Sequence, residues 1–472
     1  MYNKVNQQII HKLRAIVGES QVIVDREKMV DYSHDEFSLP EIARMPEVVV
    51  LPRSTAQVAE ILKLASKERI PVTPRGGATG LCGGCVPWLG GIVVSLEKMN
   101  QMVELDTRNQ MAVVEAGLRL GDFYQKVSEA GLFFAPHPGE ESAMIGGLIA
   151  ANAGGCRAVK YGVIRNYVRG LELVLANGQI INLGGKLMKS STGYNLLNLI
   201  IGSEGTLGIV TQATIQLMPS PAVVRSLIIP FLELEKAVET VPILIANKIL
   251  PMAVEFIPRS VLEITEQYMK KKWPCPQGNT YLLVIIDASS EEEIDRLSEI
   301  IAEICLEKEA LDVYVADSHQ KQKLVLDMRS AIYEAIKAQT LEILDIAVPR
   351  AEIAAHVKKV HQVSEKYNIW LPTFGHAADG NVHTHIMKAR YEGGKLIPLA
   401  EEEWKPKIDA VRQELYRDCQ QRNGVISGEH GIGIVKKPYL SLVLTETEIS
   451  LMKGIKDLFD PHHILNPGKL FD

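Results

Sequence analysis

The sequence predicts an α+β protein with more than one structural region, on three observations. Its 472 residues exceed what one compact core usually holds. Residues 47–74, EVVVLPRSTAQVAEILKLASKERIPVTP, read as strand, helix, strand. After residue 221 two similar strand–helix–strand units follow in tandem. Composition agrees with a folded protein: hydrophobic residues are 46% and charged residues 23%, with 36 Gly and 23 Pro, close to ordinary globular usage.

In the first βαβ unit, Val58, Ile61, Leu62 and Ala65 share one helix face, and Ser54 or Thr55 offers an N-cap oxygen. Strands are expected at GIVVSL (91–96), MVEL (102–105) and MAVVEAG (111–117), with a helix from about Gly121 to Ala130. The texture changes at Pro219–Pro221, where the Gly clusters stop. Strand SLIIPF (226–231), helix 232–248 and strand MAVEFI (252–257) form one later unit. Strand YLLVIID (281–287), a helix from about Ser290 and strand DVYVAD (312–317) form the other. The pair predicts a ferredoxin-like domain with helices on one face of an antiparallel sheet. Pro242 falls inside the first helix and is expected to kink it. A helical stretch begins near Lys321.

Charge and cysteine usage exclude several function classes. Lys plus Arg is 51 against 57 Asp plus Glu, a net charge of −6, and no basic run could neutralise a row of phosphates, so nucleic acid is excluded as a partner. Six Cys, at 82, 85, 156, 275, 305 and 419, are too sparse for a secreted disulfide scaffold. The opening residues lack the pattern of a signal peptide, and no stretch reaches the ~18 apolar residues of a membrane span. Cytoplasmic residence is expected, with peripheral membrane attachment left open.

Three Gly-rich segments point to a long ligand laid along backbone. PRGGATGLCGGCVP (74–87) follows a strand, and residues without Cβ let N–H groups turn inward toward an anion such as a pyrophosphate. It is not the GxGxxG of dinucleotide-binding folds, because that motif opens a long helix and here Pro87 follows. IGGLIAANAGG (145–155) and GSEGTLG (202–208) are the other two. Cys82 and Cys85 form a CxxC without a second such pair, more readily explained as small residues in a tight loop than as a redox pair or half a zinc site.

The C-terminal region holds the richest polar constellation. GHAADGNVHTHI places His376, His383 and His385 within ten residues, and SGEHGIG sets Glu429 beside His430. Strand alternation would aim His383 and His385 to one face, while a turn at Asp379–Gly380 would bring His376 back toward His383. Two imidazoles and a carboxylate form a common divalent-metal set with positions left for substrate. Arg329, in LVLDMRSAIYEAI, reads from the residues alone as a surface salt bridge, and His462 and His463 as members of a turn.

PRGGATG, IGGLIAANAGG, GSEGTLGIVT, GHAADGNVHTHI, SGEHGIG and DPHHILNPGKL, in this order, resemble the flavoprotein family of D-lactate dehydrogenases, D-2-hydroxyglutarate dehydrogenase and the FAD-linked subunit of glycolate oxidase. The resemblance runs from about residue 30 to the end. It implies a two-lobed FAD-binding domain of the vanillyl-alcohol oxidase type (1–218), a cap or substrate domain with the ferredoxin-like units (219–420), and a C-terminal segment (421–472) returning to the flavin. It places the FAD pyrophosphate on Pro74, Arg75, Gly76, Gly77, Ala78, Thr79 and Gly80. Gly146, Gly147, Asn152 and Gly155 would line the flavin, with Gly205, Ile209, Val210 and Asn466 beside it. No His stands in the Gly-rich loop where covalently flavinylated relatives carry one, so FAD is expected to be noncovalent.

The same resemblance implies a divalent metal (Zn, Fe or Mn) on His376, His383 and Glu429, with His430 as base and Arg329 meeting the substrate carboxylate. A lysine that some hydroxyglutarate enzymes place two residues before the motif Asp is Ile343 here, before Asp345. A short D-2-hydroxy monoacid, D-lactate, is therefore expected as substrate. Glycolate, D-2-hydroxyglutarate and a non-catalytic flavin subunit are the alternatives. The chain has no iron–sulfur cysteine spacing and no second dinucleotide fingerprint. Electrons are thus expected to leave for an electron-transfer flavoprotein, an iron–sulfur subunit or a quinone.

Overall fold

The structure, a computed structural model, describes residues 2–37 and 39–471. The chain forms two compact units, one of 1–153, 163–220 and 429–472, the other of 154–162 and 221–428. This partition differs from the sequence-based division at three places, the smallest being residues 219–220, which stay with the first unit. Residues 154–162 group with the second unit because Lys160 and Tyr161 both bond the Asp287 carboxylate, at 2.6 Å each. Residues 421–428 stay there because Val425 and Ala347 exchange backbone hydrogen bonds and Gly428 N–H donates to Asp345 O.

In the first unit, Val48–Val50, Ile92–Ser95 and Val72–Arg75 make a parallel core, with Ile92–Ser95 in the middle. The crossover helix Thr55–Glu68 starts at Ser54, whose side chain accepts from Gln57 N–H, and buries Val58, Ile61, Leu62 and Ala65. β-Branched residues buried on both sides suit such a parallel arrangement. The short strand Val22–Ile23 adds an antiparallel edge to this sheet. A second, antiparallel sheet takes Met102–Asp106, Met111–Glu115, Ile209–Gln216, Val168–Val174 and Ile180–Gly184 in that spatial order. IGGLIAANAGG is more than a loop: Ile145–Ala151 is a helix, closed by Asn152 in the left-handed conformation at φ 51°.

The second unit is built on one antiparallel sheet of seven strands. Its order is Tyr314–Val315, Val223–Phe231, Thr280–Ala288, Ala253–Pro258, Thr373–His376, Asn381–Met387, Thr340–Ala347. The first four strands have the ferredoxin-like 4-1-3-2 arrangement that the tandem units predict. Two details differ. The strand expected over 312–317 shortens to two residues, and every residue of Asn381–Met387 and of 280–286 is buried, so the sheet is covered on both faces rather than one. The helix Leu234–Ala246 runs through Pro242. Among the described residues, no helix is long and apolar enough to cross a membrane.

Candidate active site

The three Gly-rich segments of the first unit come together by backbone approach. A Cβ on Gly77 would sit 2.9 Å from Ser142 O, and one on Gly205 2.6 Å from Pro74 Cγ, so side chains at either position would push the segments apart. Gly76 faces Met144 and Gly147, while nothing lies within 4 Å of where a Cβ on Gly147 would be. The result is an open cradle lined by backbone, which suits a pyrophosphate and a planar ring.

Side chains around this cradle are scaffolding. Arg75 donates to Asp31 O, His34 O and Cys85 Sγ, at 2.5, 2.7 and 3.4 Å, and is buried. Asn466 donates to Gly84 O and Glu204 O, both at 2.8 Å, and accepts from Lys469 Nζ. Asn152 Oδ1 accepts from Arg165 N–H, and Ile209 and Val210 open the strand Ile209–Gln216. Ala78 has φ 59°, and Gly155 belongs to the second unit. Cys82 and Cys85 are free thiols, the first donating to His430 O at 3.2 Å. Burial pushes the Cys82 thiol well up and that of Cys85 to about 11, so neither is poised as a thiolate.

The segment carrying Glu429 and His430 is tied down by Glu204, from GSEGTLG. Glu204 Oε1 accepts from Ile432 N–H at 2.7 Å and Oε2 from Gly433 N–H at 2.8 Å. Burial raises its pKa despite these two donors. Glu429 and His430, consecutive in the chain, bring their ligand-competent atoms within 4.8 Å of each other.

In the second unit a hairpin delivers the histidines. Thr373–His376 and Asn381–Met387 pair antiparallel, with His376 opposite Asn381 and Phe374 opposite His383. His376 Nε2 and His383 Nε2 face each other at 3.4 Å, their rings nearly perpendicular. Behind each ring lies a carboxylate. His376 Nδ1–H donates to Glu255 Oε1 at 2.5 Å, and His383 Nδ1 lies 3.9 Å from Asp345 Oδ1. Asp345 is fully buried and also accepts from Asn381 Nδ2 and Ser427 Oγ, both at 2.8 Å. The ring of His385 stacks on Phe374, and in register it stands opposite Ile343.

Arg329 is no surface residue. Its guanidinium, side chain 21% exposed, donates through Nε at 2.8 Å and through Nη2 to Glu255 Oε2, and lies over the Phe374 ring. Burial alone would raise the Glu255 pKa, but the charges of Arg329 and His376 prevail and hold it at about 2. Sequence reasoning overlooked Glu255 and the holding role of Glu204. The signal for Glu255 was present, as the one charged residue in the apolar run MAVEFI.

Residues 220–470 match the family described as FAD linked oxidases, C-terminal domain, and residues 46–184 match the FAD binding domain. A D-lactate dehydrogenase of Anaerostipes hadrus is 40% identical over 99% of this chain and 98% of its own. The glycolate oxidase subunit GlcD of Bacillus subtilis is 39% identical over 93% and 92%. The chain belongs to the family of FAD-linked D-2-hydroxy acid dehydrogenases. This flavoenzyme shares its fold with 4-ethylphenol oxidase from Gulosibacter chungangensis, at TM-score 0.79 and 19% identity, covering 99% of this chain and 98% of that one. FAD is the cofactor of this dehydrogenase.

Proposed function

We propose that the protein oxidises a short D-2-hydroxy acid, D-lactate to pyruvate, using noncovalent FAD and a divalent metal. The observation that carries this reading is the His376–His383 pair: two Nε2 atoms 3.4 Å apart, each imidazole with a carboxylate on its Nδ1 side. Such backing fixes the tautomer and raises ligand basicity at metal centres. Glu429 follows Gly428 by one peptide bond, and Gly428 is bonded to Asp345 beside His383, so chain continuity supports Glu429 as the third ligand.

FAD held along the cradle would supply the hydride acceptor, and a divalent metal held by His376, His383 and Glu429 would supply Lewis acidity toward the substrate hydroxyl. The protein supplies the rest. His430 takes the hydroxyl proton, Arg329 orients the carboxylate, and the open cradle at Gly76 and Gly147 holds the flavin. The substrate loses one proton and one hydride and leaves as a 2-oxo acid. Ile343 offers no charge to a second carboxylate, and an unpaired buried carboxylate costs at least ~2 kcal/mol. This favours a monoacid over D-2-hydroxyglutarate. Two-electron reduction then requires an outside acceptor, an electron-transfer flavoprotein, an iron–sulfur subunit or a quinone.

Anaerobic bleaching of the flavin by D-lactate, L-lactate, glycolate and D-2-hydroxyglutarate tests the substrate, and the same measurement after chelation tests the metal. Preference for the diacid by tenfold or more, or unchanged reduction in metal-free protein, would overturn the corresponding half. Flavin left on the acid-precipitated chain would refute noncovalent binding.

A further inference from the structure

One carboxylate touches two side chains that the reading above gives different tasks. Glu255 Oε1 takes the Nδ1–H of His376 at 2.5 Å, while Oε2 takes both Nε and Nη2 of Arg329. The residue sits in the strand Ala253–Pro258, opposite His376 in register, and is 1% exposed between buried Val254 and Phe256. A buried charge is tolerated only when its lone pairs are satisfied by good partners, and here both oxygens are used. The apolar strand around it has no need of a carboxylate for packing.

We propose that Glu255 is a positioning residue shared by the metal side and the carboxylate side of the site. It holds His376 as the Nδ1–H tautomer, which leaves the Nε2 lone pair facing the metal, and it fixes the guanidinium of Arg329 with Nη1 outside the ion pair, turned to the substrate. The inference rests on the proposed function, in which His376 is a ligand and Arg329 meets the substrate. Its distinctive consequence is that a single substitution changes two affinities measured on different ligands.

The test uses Glu255→Gln in the holoprotein. The amide keeps the shape, but its single oxygen can serve only one partner, and its NH2 then faces a donor on the other. Zn²⁺ affinity is read by competition with a chromophoric chelator, and carboxylate affinity by the pyruvate-induced shift of the flavin spectrum in metal-stripped protein, so neither readout is turnover. The expected result is ~10–100-fold weaker Zn²⁺ binding, the usual effect of losing such a partner, together with weaker pyruvate binding. Arg329→Lys should weaken pyruvate binding while leaving Zn²⁺ affinity within about threefold of wild type, below the ~10–100-fold loss expected when a ligand loses its partner. If E255Q does not accumulate as a yellow protein, Glu255→Asp, which keeps the charge but cannot span both partners, should give the same joint loss. Retention of either affinity in the Glu255 variants overturns the inference. Failure of wild type to bind Zn²⁺ instead removes the proposed metal reading and the inference with it, and is distinguished by being seen before any substitution.

Discussion

Glu204→Ala tests whether the segment bearing His430 is held from beneath. The two bonds from Ile432 N–H and Gly433 N–H, at 2.7 and 2.8 Å, end on a charged acceptor. Hydrogen bonds to charged groups contribute ~1.5–3 kcal/mol each, so truncation forfeits about 3–6 kcal/mol of gross stabilisation. Part of this is offset, because burial raises the Glu204 pKa and removing the carboxylate relieves that cost. A net local loss of about 2 kcal/mol is expected after that offset, the usual size for orphaned buried donors. It falls on residues 429–433, where Gly431 and Gly433 already occupy the left-handed region at φ 86° and 52°.

A displacement of about 1 Å in a reacting group can cost ~10²-fold in rate. Stopped-flow reduction of the flavin by D-lactate should therefore slow by that order, with FAD content intact because Glu204 makes its side-chain bonds to the returning segment. Glu204→Gln, whose oxygen can keep one of the two bonds, should fall between. Reduction of Glu204→Ala at the wild-type rate with unchanged thermal stability would refute the reasoning.

His430→Asn should keep FAD and Zn²⁺ but slow flavin reduction by ~10² to 10⁴, the worth of a positioned base, and a wild-type rate across neutral pH would move the base elsewhere. Asp35 is pushed by burial from 3.8 to about 6 despite accepting from Phe37 and Gly83 N–H. Folding therefore favours its protonated form: its contribution is complete below pH 4 and is lost as pH rises to 6, about 3 kcal/mol at ~1.4 per unit. Asp35→Asn should flatten denaturation midpoints in that window, and an unchanged slope would remove Asp35 as the cause. Lys456→Met strips the cation from Asp460, fully buried at 2.5 Å, and from the carbonyls of Thr206 and Leu465. A loss of ~3–5 kcal/mol in urea unfolding is expected, and a midpoint equal to wild type would contradict it.

Periodicity and turn chemistry made much of this fold legible. The crossover helix opens at Ser54 and buries the four residues its pattern named. The hairpin that joins His376 to His383 follows from Asp379–Gly380 and strand alternation. What stayed hidden depends on long-range pairing. Nothing local announces that Glu255 stands opposite His376, 121 positions away, or that Arg329 meets that same carboxylate. Read alone, Arg329 is one more helical cation. Gly spacing likewise found the cradle segments but could not say that Arg75 and Asn466 turn to backbone carbonyls.

The first unit is interrupted: residues 429–472 belong to it, yet 221–428 come between. Val72 N–H donates to Ile464 O and Asn466 N–H to Val72 O, both at 2.7 Å, so the late segment lines up beside a strand made near the start. On the ribosome, this strand must wait through the synthesis of the entire second unit before its neighbour exists. At ~5–20 residues per second the delay is tens of seconds, during which the second unit can fold by itself while the first has an open flank. The Lys469 amine, buried and donating to Val86 O and Asn466 Oδ1, then acts as a late latch, with its pKa lowered by burial to about 8. Assembly of the nucleotide cradle is thereby deferred until residues 464–469 have been synthesised.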